Sequence, residues 1–166
     1  MRLASVERYD AVLAAPFAQL GVIADTQGIR RIDFLPAEQA VLINRVENAA
    51  IAQLAAALMQ YWDNPVMRFE LPLYYHGSAH QLRVWQALLA IAPGQTRSYG
   101  EIAAAIRSSP RAVGQACGAN PLPIVIPCHR VVAKTGQGGF MHQRGGAALN
   151  YKAWLLSHES RFSTTD

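Results

Sequence analysis

The sequence predicts an α+β fold, with strands in the first half of the chain and helices in the second. An apolar run over 17–24 and an alternating segment over 29–35 flank the turn Thr26-Gln27-Gly28, a pattern typical of a β-hairpin. Residues 38–62 are rich in alanine and carry a recurring apolar residue at every fourth position, which predicts an amphipathic helix. Further along, Ser78 and Ser98 each begin a capping box ahead of a helical pattern.

A change of pattern near His76-Gly77 predicts a domain boundary. Residues 66–75 have the composition of a strand, whereas helical patterns begin at Ser78. The 166 residues are enough for two small units that share a packed interface. We therefore expect an N-terminal α/β subdomain over residues 1–76 and a second domain over residues 77–166.

Composition limits the classes of partner. Hydrophobic residues make up 51% of the chain and charged residues 16%, so the chain can bury a core and is not expected to be disordered. The net charge of +4 suits a polyanionic partner without identifying one. No apolar run is long enough to span a bilayer, and the first residues lack the apolar core of a signal peptide. We therefore expect a cytoplasmic protein with no membrane contact.

The cysteine and histidine spacing predicts neither a disulfide nor a metal site. The two cysteines, Cys117 and Cys128, lack CxxC spacing, and a reducing compartment opposes a disulfide between them. The five histidines show no tight ligand spacing either. We expect no metal and no cofactor.

Two short helices are predicted between Ser98 and Ala119. Pro110 occupies the first position of the second helix, and Arg111 follows it directly. Two short helices joined by a tight turn are typical of a DNA-binding helix-turn-helix. An ordinary pair of packed helices remains the alternative on this segment alone.

Cys128 is a candidate nucleophile because His129 follows it in the chain. Adjacent side chains of an extended segment point to opposite faces, so this pair needs a local turn or a bridging water in order to interact. A histidine acting as a base also needs an orienting carboxylate, for which Glu159 is a candidate. The alternative is that Cys128 is a buried, inert thiol. We expect Cys117, on the apolar side of its helix, to be a thiol of that kind.

The segment Ile126-Pro127-Cys128-His129-Arg130-Val131-Val132 resembles the active-site signature of the O6-alkylguanine-DNA alkyltransferases, also called methylated-DNA–protein-cysteine methyltransferases. The resemblance covers roughly residues 79–160. Its flanking motifs occur in the family's order: Ser98-Tyr99, Arg111-Ala112-Val113-Gly114, Asn120-Pro121-Leu122-Pro123 and Lys152-Ala153-Trp154-Leu155-Leu156-Ser157-His158-Glu159. The resemblance implies a ribonuclease-H-like α/β N-terminal subdomain without catalytic duty, followed by a mainly helical subdomain with a helix-turn-helix.

The family resemblance also implies a reaction. Cys128 takes the alkyl group from O6-alkylguanine, and less readily from O4-alkylthymine, and is consumed by doing so. His129 accepts the thiol proton through a water, Glu159 orients His129, and Tyr99 donates a proton toward the base. Asn120 holds the turn that brings the helix-turn-helix beside the active-site strand.

Double-stranded DNA is the implied partner, bound through its minor groove. Arg111 is expected to enter the base stack when the damaged nucleotide rotates out. The remaining residues expected at the DNA are Tyr99, Ala112, Gly114, Gln115 and Arg130, and those expected to form the substrate pocket are Val131, Phe140, Pro123 and Cys117. We expect a monomer that can cluster on DNA.

One loop departs from the family pattern. The family usually has a Gly-Tyr pair followed closely by paired glycines, whereas here four residues separate Gly139-Phe140 from Gly145-Gly146. We expect His142 and Arg144 in this loop to be solvated, with contact to DNA as the alternative.

Two other functions are compatible with parts of the sequence. A non-catalytic damage sensor would flip the base and recruit other repair proteins, but such relatives lack the acceptor cysteine that Cys128 supplies. A cysteine hydrolase would use Cys128 and His129 repeatedly and would leave the Arg111 helix unexplained.

Overall fold

The computed structural model of the chain describes residues 7–36, 38–39, 41–44, 47–143 and 145–162. These residues divide into two compact units, one within Met1–Asp63 and Phe69–Tyr75 and the other within Asn64–Arg68 and His76–Asp166. In the described residues, the first unit contains two small sheets and one helix, and the second unit is mainly helical. The predicted α+β class is confirmed, and the division at residue 76 stays a proposal.

Five strands lie in the described residues of the first unit. They are β1 (Arg8–Tyr9), β2 (Ala11–Ala14), β3 (Gln19–Asp25), β4 (Gly28–Leu35) and β5 (Leu42–Ile43). Strands β2, β3 and β4 form an antiparallel sheet in that order, while β1 pairs in parallel with β5. The predicted hairpin is therefore confirmed as β3–β4, and its inward side chains Leu20, Val22 and Ile32 are buried.

The helix of the first unit is shorter than predicted. Helix α1 covers Ala49–Asp63, not 38–62, because Asn48 caps it: its side-chain oxygen accepts the amides of Ala50 (2.9 Å) and Ile51 (3.2 Å). Strand β5 occupies part of the segment expected to be helical. The described residues do not include three positions of the predicted helix, Ala40, Arg45 and Val46, nor Ala37 just before it.

The strand predicted over 66–75 is wrong as a regular element. Within this segment, only Leu73 forms a β-bridge, and its partner is Ile29. The amide of Ile29 donates to the carbonyl of Pro72 (2.8 Å), and the amide of Tyr74 donates to the carbonyl of Ile29 (2.9 Å). Pro72 has no amide proton, so a continued ladder would lose a hydrogen bond at this position.

The part of the second unit that the structure describes contains four helices, two short strands and a 3₁₀ turn. In chain order they are α2 (Ala79–Leu89), β6 (Arg97–Ser98), α3 (Tyr99–Ile106), α4 (Pro110–Gly118), the 3₁₀ turn Cys128–Arg130, β7 (Val131–Val132) and α5 (Ala147–Ser160). Both predicted capping boxes are confirmed, at Ser78 with Gln81 and at Ser98 with Glu101. Pro110 begins α4 as predicted, after the N-cap residue Ser109.

The short parallel pairing of β6 with β7 fixes the geometry of the second unit. Arg97 lies opposite Val131, and Ser98 lies opposite Val132. Because Tyr99 follows β6 directly and Cys128 lies just before β7, this pairing holds the start of α3 beside the 3₁₀ turn. Within the described part of the chain, no helix is long and apolar enough to cross a membrane.

Candidate active site

The turn between α4 and Cys128 is held by one buried side chain. Asn120 donates from Nδ2 to the carbonyl of Ile126 (2.8 Å), and its Oδ1 accepts the amide of Leu122 (2.9 Å). The turn carries Ile124 at a positive φ of 75°, a conformation that costs energy for a β-branched residue. Asn120 thus lies between the end of α4 and the cysteine, where its side chain bonds both ends of the turn.

Cys128 is a buried free thiol with 3% of its surface exposed. Burial raises the pKa of this thiol to about 11, although Asn120 and the charge of Lys152 act in the opposite direction. Cys117, on α4, is also a free thiol, and burial raises its pKa to about 12. Both cysteines are thus thiols at neutral pH, so nucleophilic attack requires removal of a proton.

His129 and Glu159 form a buried pair. His129 Nε2 lies 2.7 Å from Glu159 Oε1, and both side chains are almost fully buried. The pKa of His129 is lowered, mainly because burial disfavours its charged form. A neutral imidazole that donates through Nε2 keeps Nδ1 as an acceptor. Among the buried side-chain nitrogen and oxygen atoms of the described residues, Nδ1 of His129 is the one without a hydrogen-bond partner.

Arg130 completes this cluster from inside the protein. Its Nη2 donates to Glu159 Oε1 (2.7 Å), its Nε to Oε2 (2.9 Å), and its Nη1 to the carbonyl of Ile91 (2.6 Å). These bonds and the His129 contact hold the pKa of Glu159 well below its usual range, against the effect of burial. The structure corrects the prediction that Arg130 contacts DNA, since its guanidinium is buried and committed to these partners.

Tyr99 lies at the start of α3, directly after the N-cap residue Ser98. Its hydroxyl donates to the carbonyl of Gly139 (3.3 Å), and its ring lines the same cavity as Cys128. Burial raises the pKa of Tyr99 to about 12, so its hydroxyl keeps its proton at neutral pH. Tyr99 is therefore available as a proton donor within the cavity.

Lys152 is a site residue that the sequence analysis missed. Its buried ammonium donates to the carbonyls of Val131 (2.7 Å), Gln137 (2.6 Å) and Gly139 (2.9 Å). Burial lowers the pKa of Lys152 to about 8. The sequence did contain a pattern that could have identified it. Lys152 lies four residues after Ala148 and three before Leu155, so it places a charge in the buried stripe of α5.

A cavity of about 610 Å³ opens above Cys128. Six residues of α4, including Arg111 near its start, form one wall of the cavity, and the loop 139–143 forms the other. Of the predicted DNA and pocket residues, the lining includes Tyr99, Arg111, Gly114, Gln115, Cys117 and Phe140. Arg111 and Gln115 are exposed, and Ala112 is half-buried beside a second, shallower depression.

Pro123 and Val131, predicted as pocket residues, do not line this cavity. Both are buried in the interior, and the carbonyl of Val131 accepts from Lys152. The carbonyl of Cys128 accepts the amide of Val131. Packing of the turn against the unit's core, which sequence spacing does not reveal, accounts for this correction. Among the described residues, no group of three His, Cys, Asp or Glu side chains could hold a metal ion.

Comparison with known proteins identifies relatives that cover most of the chain. Residues 79–161 match the model of the family described as 6-O-methylguanine DNA methyltransferase, DNA binding domain. The constitutive methylated-DNA–protein-cysteine methyltransferase of Bacillus subtilis is 36% identical over 160 residues, covering 91% of this chain and 94% of that protein. The methylated-DNA–protein-cysteine methyltransferase of Mycobacterium leprae is 43% identical over 116 residues, covering 68% of this chain and 67% of that protein.

A solved structure is similar over almost the full length. The crystal structure of Mycobacterium tuberculosis OGT in complex with DNA superimposes with a TM-score of 0.77 at 30% identity, covering 94% of each chain. This similarity extends to both units of the fold, beyond the segment that the family model matches.

Proposed function

Because the chain belongs to the methylated-DNA–protein-cysteine methyltransferase family, we propose that it repairs DNA by moving the alkyl group of O6-alkylguanine onto Cys128. The carrying observation is that Cys128 shares one cavity with Tyr99 and Arg111. A nucleophile, a proton donor and a cationic side chain thus surround a space that can receive a single base.

Removal of the thiol proton is the first requirement of this reaction. The buried thiol has a pKa of about 11, whereas His129 is neutral and keeps Nδ1 free to accept. We infer that a water carries the proton from Cys128 Sγ to His129 Nδ1. The Glu159 carboxylate, which Arg130 holds in place, then stabilises the imidazolium through its contact with Nε2.

Transfer forms a bond from Sγ to the alkyl carbon and breaks the bond from that carbon to guanine O6. The electron pair of the broken bond stays on guanine, and an anionic base would be costly in a dry pocket. Tyr99 supplies a proton to the base, so that guanine leaves neutral, and the proton taken by His129 restores the tyrosine hydroxyl through solvent. The product is a thioether, which no neighbouring group can hydrolyse, so each molecule acts once.

The stacked base must leave the duplex to reach a buried sulfur. Arg111 is exposed at the start of α4 and lines the cavity mouth, which suits a side chain that fills the vacated position in the stack. The small residues Ala112 and Gly114 on the same helix allow its close approach to a narrow minor groove. These features support duplex DNA as the partner of α4.

The test is an intact-mass measurement after mixing the protein with a duplex that carries one O6-methylguanine. We expect the protein to gain one methyl group, the guanine to be restored, and the reaction to end at one equivalent. Cys128→Ala should gain none, whereas the matched variant Cys117→Ala should still gain one. Methylation of Cys128→Ala, or repair by an unmodified protein, would overturn the proposal.

A further inference from the structure

The loop wall of the cavity ends in a tight turn, Phe140–Gln143. The amide of Phe140 donates to the carbonyl of Gln143 (2.8 Å), and the amide of Gln143 donates back to the carbonyl of Phe140 (2.9 Å). Both central residues have positive φ, 50° at Met141 and 63° at His142. Such turns favour asparagine and glycine, so methionine and histidine hold this conformation at an energetic cost. Contacts outside the turn must therefore stabilise it.

Helix α4 provides such a contact at Gly118. A Cβ built on Gly118 would lie 2.3 Å from His142 Nδ1 and 2.5 Å from its Cε1. Gly118 is the last residue of α4 and is not among the residues with positive φ, so its backbone does not itself require glycine. The missing side chain instead makes room for the imidazole. His142 is exposed, as expected for a solvated loop residue, and in addition it packs on Gly118.

His142 is therefore the residue through which the loop wall of the cavity touches α4. The cavity above Cys128 has α4 on one side and the turn Phe140–Gln143 on the other, and His142 belongs to its lining. The same residue also borders the shallower depression on the outer side of α4, beside His80 and Gln115. His142 thus borders both spaces, and its approach to Gly118 connects the loop to α4.

We propose that His142 is a positioning residue that sets the width of the alkyl pocket by resting its imidazole on Gly118. This inference rests on the proposed transfer to Cys128 and adds a determinant of substrate size to it. With the contact in place, the pocket is closed at the Gly118 end and favours small alkyl groups. Without it, the turn moves off α4 and the pocket admits bulky groups.

The experiment compares single-turnover transfer from two duplexes of one sequence, carrying O6-methylguanine or O6-benzylguanine. The variants are His142→Gly, which relieves the positive φ while removing the ring, Gly118→Ala, which displaces the ring, and the double variant. We expect each single variant to raise the benzyl-to-methyl rate ratio about tenfold, the scale on which a pocket discriminates by size. The double variant should show no further rise, because both changes remove one contact.

Gly100→Ala is the matched control, since a Cβ there meets nothing closer than 3.8 Å. It should keep the wild-type ratio. An unchanged ratio in His142→Gly or in Gly118→Ala, or effects that multiply in the double variant, would overturn the proposal. Because the two duplexes have the same sequence, a general loss of DNA binding leaves the benzyl-to-methyl rate ratio unaffected.

A second measurement separates this inference from the proposed function. Absence of methyl transfer in the wild type would refute the function and leave the contact to be tested by thiol chemistry. Labelling of Cys128 by iodoacetamide and by a bulky maleimide, resolved from Cys117 by peptide mass spectrometry, reports pocket width without DNA. His142→Gly should accelerate the maleimide more than iodoacetamide, and equal acceleration would refute the contact's role.

Discussion

Arg130 and Glu159 form a buried ion pair in which both carboxylate oxygens accept from the guanidinium, at 2.7 and 2.9 Å. The same carboxylate accepts from His129, the residue next to Cys128. One carboxylate thus joins a charged anchor to the proposed base. Arg130, Glu159 and His129 are all buried, so the orientation of His129 is set by contacts within the protein.

Arg130→Met should lower the free energy of unfolding by about 3–5 kcal/mol, because it leaves the Glu159 carboxylate buried without its cationic partner. Denaturant unfolding measures this loss. Arg111→Met, which removes an exposed arginine, should change stability by less than about 0.5 kcal/mol. Duplex affinity, measured on folded protein, should fall for Arg111→Met and not for Arg130→Met. If affinity falls for Arg130→Met and not for Arg111→Met, Arg130 contacts DNA and the correction made above is wrong.

Stability should decline as the pH falls, and Glu159 should account for part of the decline. Its folded pKa lies well below the unfolded value of about 4.3, so the unfolded chain binds the proton first. The stability it contributes is fully present above the unfolded pKa and is lost as the pH falls through the folded pKa. His129, with a lowered folded pKa, acts in the same direction below about pH 6.5.

Glu159→Gln tests this sign. The variant should be less stable than the wild type at pH 7, and the difference in unfolding free energy should shrink as the pH is lowered below about 4. Urea unfolding at several pH values measures the difference. Glu70→Gln, at an exposed glutamate, should stay within about 0.5 kcal/mol of the wild type. A difference for Glu159→Gln that grows toward acid pH would contradict the assignment.

The predictable parts of the fold depend on neighbours in sequence. The hairpin β3–β4, the capping boxes at Ser78 and Ser98, and Pro110 at the start of α4 are all encoded within a few residues. Helix α1 is a partial failure of the same reasoning. Alanine-rich sequence favours helix throughout 38–62, but the cap at Asn48 sets the start at Ala49.

The missed parts of the site depend on distant partners. Arg130 meets Glu159 29 residues away, and its motif position alone suggested DNA contact. Lys152 meets three main-chain carbonyls, which no side-chain pattern reveals. His142 and Gly118 are each unremarkable in sequence, and His142 lies in the loop over 139–146 whose length departs from the family pattern.

Lys152→Met should loosen the loop that covers the cavity. The change removes the donor to the carbonyls of Gln137 and Gly139 and leaves the loop without this attachment to α5. We expect hydrogen–deuterium exchange of the amides over 137–139 to accelerate about tenfold or more, the scale of one lost buried hydrogen bond. Lys134→Met, at an exposed lysine of the same loop, should leave exchange unchanged. Equal protection in both variants would refute the role of Lys152.

Arg111→Ala should separate the flipping of the base from the chemistry at Cys128. Reaction with a damaged duplex requires a group to replace the extruded base, whereas free O6-benzylguanine can enter the cavity unaided. We expect the duplex rate to fall at least about tenfold, because unstacking costs a few kcal/mol, and the rate with the free base to change less than about twofold. Single-turnover kinetics with both substrates measure the two rates. Arg97→Ala, at an exposed arginine outside the cavity lining, should keep the wild-type ratio. If Arg111→Ala slows both substrates equally, Arg111 supports the pocket and does not fill the base stack.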